Sequence, residues 1–221
     1  MCEIDEDVCK VAKKFFPKMA STLIAKDEGR EPRFELLFMD AAEYMKGHKN
    51  EFDVIIVDSS DPVGPAETLY SSEFYANMHA ALRPGGIVCT QGECQWLHLP
   101  LISKVIGDAK QLYPTVEYAF ASVPTYPSGQ IGFIIARKAQ AGLAALFGGG
   151  ALAQGRAVPV AMRKELRYYS EAVHRACFVL PRFAEKELPA AAVPAAGAPA
   201  ALVALAALAG AAAAALFLRR K

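Results

Sequence analysis

The segment FDVIIV, residues 52–57, constrains the fold more than any other part of this sequence. Its apolar residues fall on both sides of an extended chain, which is typical of a strand buried on both faces in a parallel sheet. We therefore predict a central strand over 52–57. The turn DSSDPVGPAE follows at once and carries two aspartates, Asp58 and Asp61, three positions apart.

Helical and extended patterns alternate through residues 1–138. Val8, Val11 and Phe15 recur at helical spacing between a possible cap at Asp5 and a stop at Pro17. Other helices are predicted over 41–48, within 71–86 and over about 99–112, and other strands over 34–38, 86–91, 115–123 and 131–137. This order predicts a three-layer α/β domain on a mostly parallel sheet, closed by an antiparallel hairpin.

The composition divides the chain into four parts. Residues 1–138 form the predicted catalytic domain, and 139–164 are rich in alanine and glycine, which favours a flexible insertion. Residues 165–188 regain a helical pattern and are expected to pack on the domain. Residues 189–221 form an alanine-rich tail without charge from 190 to 218, which indicates either a disordered extension or a membrane anchor.

Charge and cysteine content limit the partners and the compartment. The 24 basic and 23 acidic residues leave a net charge of +1 and are evenly spread, so the sequence predicts no nucleic-acid partner. The five cysteines are scattered and form no CxxC pair, and no secretory signal pattern begins the chain. These features indicate a reducing, cytoplasmic location.

Carboxylates stand at the ends of three strands: the predicted strands over 34–38 and 52–57, and a further strand that we expect to end at Glu3 and to be cut off by the start of the chain. In an open parallel sheet, ligands bind outside the carboxyl ends of the strands, and this is where Glu3, Asp40 and the pair Asp58 and Asp61 are expected. One such carboxylate can accept hydrogen bonds from both hydroxyls of a ribose. A pair of carboxylates can bind an ammonium group, and one of them can take a proton from it. The alternative is that each is a solvated loop residue or a helix cap.

Five segments together carry a family resemblance. CEIDEDV, DSSDPVGPAE, QGECQWLH, PTYPSGQIGF and YYSEAVHRACFVLP closely resemble the eukaryotic spermidine synthases, which are polyamine aminopropyltransferases with a Rossmann-like, methyltransferase-type fold. The resemblance covers residues 1–138 and about 165–187. It implies transfer of the aminopropyl group of decarboxylated S-adenosylmethionine to putrescine, giving spermidine and 5'-methylthioadenosine. It implies neither a metal nor a redox cofactor, and a homodimer for the full-length enzyme.

The resemblance also implies roles for single residues. Asp58 would be the base for the attacking amine, Asp61 and Tyr126 would orient the diamine, and Gln91 would line its channel. The remaining predicted residues contact the nucleoside donor: Ser59 through its backbone amide, Glu3 at the ribose, and Asp40 with Ala41 at the adenine edge. The family usually has glycine where Ala41 stands.

Two features depart from the family pattern. The family's glycine-rich loop and the β-rich segment before it are expected upstream of Met1, so we predict that the first strand or strands of the sheet are missing and that the chain is truncated. The other departure is the alanine-rich tail. Three functions therefore stay open: a spermidine synthase, a related spermine synthase or putrescine N-methyltransferase, and an inactive fragment or partner subunit.

Overall fold

The computed structural model describes residues 1–59, 64–141, 152–155 and 157–188. Its helices are α1 (Glu6–Phe15), α2 (Ser21–Asp27), α3 (Ala41–Met45), α4 (Ser72–Ala81), α5 (Leu99–Lys110), α6 (Val160–Arg163), α7 (Glu171–Ala176) and α8 (Arg182–Glu187). Its strands are β1 (Cys2–Glu3), β2 (Leu37–Phe38), β3 (Phe52–Val57), β4 (Leu82–Gln91), β5 (Thr115–Ser122) and β6 (Gln130–Arg137). Short 3₁₀ helices span Gly64–Tyr70, Pro127–Gly129 and Leu152–Gln154.

The strands form two sheets. β1 and β2 pair in parallel as a two-stranded sheet, and a four-stranded sheet has the order β3-β4-β6-β5. β3 and β4 are parallel, whereas β6 is antiparallel to both β4 and β5. Three strands of the larger sheet therefore run in one direction and one runs against them. The predicted α/β class and the closing antiparallel hairpin are confirmed.

The expected central strand is an edge strand in the described part of the chain. β3 pairs with β4 on one side, and no other described strand pairs with it. Val54 is 56% exposed and Ile56 is 74% exposed. The prediction of an apolar strand over 52–57 is confirmed, and among the described strands only β4 pairs with it. An apolar side chain reveals a preference for burial, and burial also requires a neighbour that covers it.

Local signals position the helices well. The Asp5 side chain accepts a hydrogen bond from the backbone N–H of Asp7 at 2.8 Å, which caps α1 as predicted. Ser71 caps α4 through the N–H of Phe74 at 3.1 Å. The predicted strand over 34–38 is shorter than expected, because its partner β1 offers only Cys2 and Glu3 for pairing.

The main core lies between the larger sheet and helices α4 and α5. Its fully buried side chains include Met78, Leu82, Val88, Ile102 and Ile106. These positions recur at helical spacing on α4 and α5 and alternate along β4 with outward-facing residues. The core fixes β4, and thereby the place where the chain leaves its carboxyl end.

The segments after β6 lie against β5. The backbone N–H of Phe120 donates to the carbonyl of Cys177 at 3.0 Å. Leu152 is buried, its N–H donates to the Glu117 carboxylate at 3.0 Å, and its carbonyl accepts from His174 Nε2 at 2.8 Å. Residues 152–155, inside the predicted flexible insertion, are thus packed. The predicted domain boundaries otherwise stay predictions.

The alanine-rich tail, residues 189–221, and residues 142–151 lie outside the described residues. Among the helices that the structure describes, none is long and apolar enough to cross a bilayer.

Candidate active site

A cleft of about 920 Å³ separates the two sheets on the side of β1 and β3. Five of the eight predicted site residues line it: Glu3, Asp40, Ala41, Asp58 and Ser59. Each lies at or just after the carboxyl end of a strand, as the rule for ligand sites in parallel sheets predicts. The fold therefore brings together residues that are up to 56 positions apart in the sequence.

The cleft is acidic. Besides Glu3, Asp40 and Asp58, Glu35 also lines it, and none of its described lining residues is a lysine or an arginine. Carboxylates without a cationic side chain beside them attract a positive ligand such as an ammonium or a sulfonium. The apolar walls, formed by residues such as Ile55 and Leu69, lower the local dielectric and strengthen that attraction.

Two of the carboxylates also support the backbone. Asp40 Oδ1 accepts a hydrogen bond from the N–H of Ala42 at 2.7 Å and caps α3. Glu3 Oε1 accepts from the N–H of Asp5 at 2.9 Å, in the turn that enters α1. The cap alternative is therefore correct for Asp40. Because a carboxylate has two oxygens and about four acceptor sites, a capping bond still permits contact with a ligand.

The end of β3 is joined to the end of β4 by a chain of hydrogen bonds. Ser59 Oγ donates to the hydroxyl of Tyr70 at 3.1 Å, and that hydroxyl donates to Gln91 Oε1 at 3.1 Å. Asp58 precedes Ser59 directly and is exposed to solvent. Asp61 lies outside the described residues. Gln91 is not among the residues that line the cleft, but this chain connects it to Ser59, which is.

The loop after β4 contains a buried acid that sequence reasoning did not select as a site residue. Glu93 is 6% exposed and adopts a positive φ of 57°. One carboxylate oxygen lies 2.9 Å from His98 Nδ1, and the other has no hydrogen-bond partner among the described residues. The motif QGECQWLH placed this acid at the right sheet edge, but nothing in the motif reveals its burial.

Tyr126 lies in the turn between β5 and β6 and is 44% exposed. Two side-chain contacts tie this turn to the loop after β4: Cys94 Sγ with Ser128 Oγ at 2.8 Å, and Trp96 Nε1 with Gln130 Oε1 at 3.2 Å. The structure thus brings the turn of Tyr126 to the loop that follows Gln91, although Tyr126 does not line the cleft.

Glycine is required at position 132, beside this loop. The Gly132 N–H donates to the carbonyl of Glu93 at 2.7 Å, and the Tyr118 hydroxyl donates to the same carbonyl at 2.9 Å. A Cβ at position 132 would collide with both the Tyr118 hydroxyl and the Glu93 carbonyl. Burial raises the pKa of Tyr118, so its hydroxyl remains a donor at all physiological pH values.

Comparison with known proteins identifies the family. Residues 1–144 match the spermine/spermidine synthase domain. The chain belongs to the spermine/spermidine synthase family. A spermidine synthase of Dictyostelium discoideum is 43% identical over 188 residues, and a spermine synthase of Arabidopsis thaliana is 42% identical over 203 residues. These matches cover 85% of this chain in both cases, and 61% and 51% of the respective relatives.

A solved structure of this family supports the fold. A spermidine synthase crystallised with the transition-state analogue AdoDATO superposes with a TM-score of 0.68 at 32% identity, covering 85% of this chain and 59% of that one. The Rossmann-like, methyltransferase-type architecture expected from the sequence is thereby confirmed. The chain spans about three fifths of the length of the Dictyostelium relative.

Proposed function

We propose that this protein is an aminopropyltransferase that makes spermidine and 5'-methylthioadenosine from putrescine and decarboxylated S-adenosylmethionine. The observation that carries the proposal is the placement of Asp58 at the end of β3, in one acidic cleft with Glu3 and Asp40. The family membership supports the same activity. Both substrates are cations at neutral pH, and an acidic cleft suits both.

The proposed reaction needs one proton acceptor. A primary amine with a pKa near 10.4 is protonated at neutral pH and has no lone pair for attack. Asp58 takes a proton from the ammonium of putrescine, and the resulting neutral nitrogen attacks the aminopropyl carbon bonded to the sulfonium. The new C–N bond forms as the C–S bond breaks, and its electron pair stays on sulfur as a neutral thioether. The product nitrogen is a secondary ammonium, and the proton on Asp58 passes to solvent.

The other site residues bind and orient the substrates in this proposal. Glu3 holds the ribose hydroxyls, and Asp40 with the backbone at Ala41 holds the adenine edge. Ser59 contacts the nucleoside through its backbone amide, while Asp61, Gln91 and Tyr126 align the diamine. Alignment of amine, carbon and sulfur in line contributes several orders of magnitude to the rate. No metal or redox cofactor takes part in the proposed reaction.

The acceptor is the least constrained part of the proposal, because the Arabidopsis relative at 42% identity is a spermine synthase. Spermidine is therefore a second candidate acceptor. Products formed from equal putrescine and spermidine, offered together with the donor, distinguish the two. We expect spermidine as the main product, and preferential formation of spermine would refute the assignment of putrescine.

The base is tested by Asp58→Asn, which keeps the size of the side chain but cannot accept the proton. We expect kcat to fall at least about a hundredfold with little change in KM for the donor. Glu67→Gln, a substitution at an exposed acid in the turn that follows, serves as the matched control. Equal losses in the two variants would show that Asp58 acts only through the general charge of the region. Absence of turnover in the unmodified chain would favour an inactive partner subunit.

The assembly and location follow from the same proposal. We propose a homodimer, which sedimentation velocity can test, and a cytoplasmic location. Membrane association through residues 190–218 stays a prediction, since these residues lie outside the described part of the chain.

A further inference from the structure

Tyr70 connects the ends of two neighbouring strands. It is the last residue of the 3₁₀ helix Gly64–Tyr70 and is half-buried. Its hydroxyl lies 3.1 Å from Ser59 Oγ, two residues after β3, and 3.1 Å from Oε1 of Gln91, the last residue of β4. A single phenol group therefore spans the gap between the carboxyl ends of β3 and β4.

The direction of the hydrogen bonds is set by the backbone. Gln91 Oε1 also accepts from the N–H of Glu93, at 3.4 Å, and a backbone N–H can only donate. The Gln91 amide therefore turns its oxygen, Oε1, toward the Tyr70 hydroxyl. Because this oxygen can only accept, the Tyr70 hydroxyl donates to it and accepts from Ser59. A phenylalanine at position 70 would fill the same space but would make neither bond.

A second tyrosine, Tyr75, lies five residues after Tyr70 and has a hydroxyl that, among the described residues, is bonded only within the core. Tyr75 on α4 is 3% exposed, and its hydroxyl pairs with Thr90 Oγ1 at 3.0 Å inside the core. Thr90 precedes Gln91 on the same strand. The two tyrosines thus bind adjacent residues of β4, one in the core and one at the sheet edge that carries the candidate active site.

We propose that Tyr70 is a positioning residue of the aminopropyltransferase site. Through Ser59 it holds the adjacent Asp58 at a fixed place relative to Gln91, so that the base and the diamine channel keep their separation. This inference rests on the proposed function. Its physical basis is that small displacements of a catalytic group lower the rate sharply, whereas substrate affinity depends on many contacts and changes less.

The kinetic test compares Tyr70→Phe with Tyr75→Phe in the full chain. We expect Tyr70→Phe to lower kcat about tenfold and to change KM for putrescine less than about twofold, since the hydrogen bonds of the phenol to Ser59 and Gln91 are lost. Tyr75→Phe should lower the melting temperature and leave kcat within about twofold below that temperature. Equal kcat losses in the two variants, or a loss in Tyr70→Phe confined to KM, would overturn the proposal.

A double-mutant cycle tests whether Tyr70 acts through Ser59. If it does, Tyr70→Phe combined with Ser59→Ala should lose no more kcat than the more damaging single variant. If the two losses multiply, Tyr70 acts by another route and the proposal is wrong.

Amide hydrogen exchange gives a readout that does not depend on activity. Tyr70→Phe should speed exchange at Glu93, whose N–H donates to Gln91 Oε1, and Tyr75→Phe should not. If the unmodified chain shows no turnover, the proposed function fails while the exchange experiment still decides the role of Tyr70. Unchanged exchange in Tyr70→Phe would refute the positioning role even if the enzyme is active.

Discussion

Gly132→Ala should be among the most destabilising single substitutions in this protein. The added methyl group collides with the Tyr118 hydroxyl and with the Glu93 carbonyl. The carbonyl belongs to the backbone, so it cannot move away by a change of rotamer. Overpacking of this kind costs about 1–3 kcal/mol. Displacement of the strand also weakens the bonds that Gly132 N–H and Tyr118 donate to Glu93, and each buried group left without a partner costs about 1–3 kcal/mol.

With one buried group left without a partner, we therefore expect the free energy of unfolding to fall by about 2–6 kcal/mol, a large share of the 5–15 kcal/mol typical of a domain. Urea unfolding followed by circular dichroism measures it. Gly107→Ala is the matched control: it lies in α5, nothing lies within 4 Å of its added Cβ, and it should be neutral or stabilising by up to about 1 kcal/mol.

A second substitution tests the cause. Tyr118→Phe removes the nearest of the three clashing atoms, the hydroxyl oxygen, and leaves the ring carbon Cζ and the Glu93 carbonyl. In the Gly132→Ala background it should therefore cost less stability than it costs alone. A loss below about 1 kcal/mol in Gly132→Ala, or simple addition of the two losses, would refute the reasoning from this contact.

Two further predictions concern the sheet and the core. Ile56→Lys should reduce the self-association measured by light scattering, because the Ile56 side chain is 74% exposed on a strand that has an unpaired edge among the described residues. The same exposure should keep the change in stability below about 0.5 kcal/mol. Val179→Lys is the control: Val179 is 69% exposed but lies outside the sheet, so this substitution should not reduce self-association. Burial raises the pKa of Tyr75 to about 12. Its phenol keeps its proton in the fold but ionises near pH 10 when unfolded, so stability is fully present below pH 10 and should fall by about 2–3 kcal/mol as the pH rises to 12. Tyr75→Phe should lose less stability across this range, and an identical slope would contradict the prediction.

The sequence predicted most of the elements because their signals are local. The cap at Asp5 and the spacing of Val8, Val11 and Phe15 lie within one helix, and the strand pattern of 115–123 and 131–137 lies within one hairpin. The order of strand ends then predicted that Glu3, Asp40 and Asp58 lie at one edge, and the structure places all three in the lining of one cleft.

Features that depend on contacts between distant segments were not predicted. The edge position of β3 among the described strands depends on which strands pair with it, and the residues of β3 alone do not determine that. Tyr70 occupies an ordinary turn position in the sequence. Its hydroxyl contacts Ser59 and Gln91 only because β3 and β4 pair side by side in the fold. The backbone carbonyl of Glu93 accepts hydrogen bonds from Gly132 and Tyr118, which are 25 or more positions away.

The position of β6 has a consequence for how the protein folds during synthesis. Of the strands that the structure describes, β6 is the last to be made, yet it lies between β4 and β5 and is the neighbour through which β5 joins the sheet. A nascent chain that ends before residue 130 can pair β3 with β4, but β5 has no place to dock. The hairpin of β5 and β6 can form within microseconds because it is local, whereas its docking on β4 must close a loop of about 40 residues. The sheet is therefore completed in one late step, and until then the open edge of β4 is a surface for chaperones to cover.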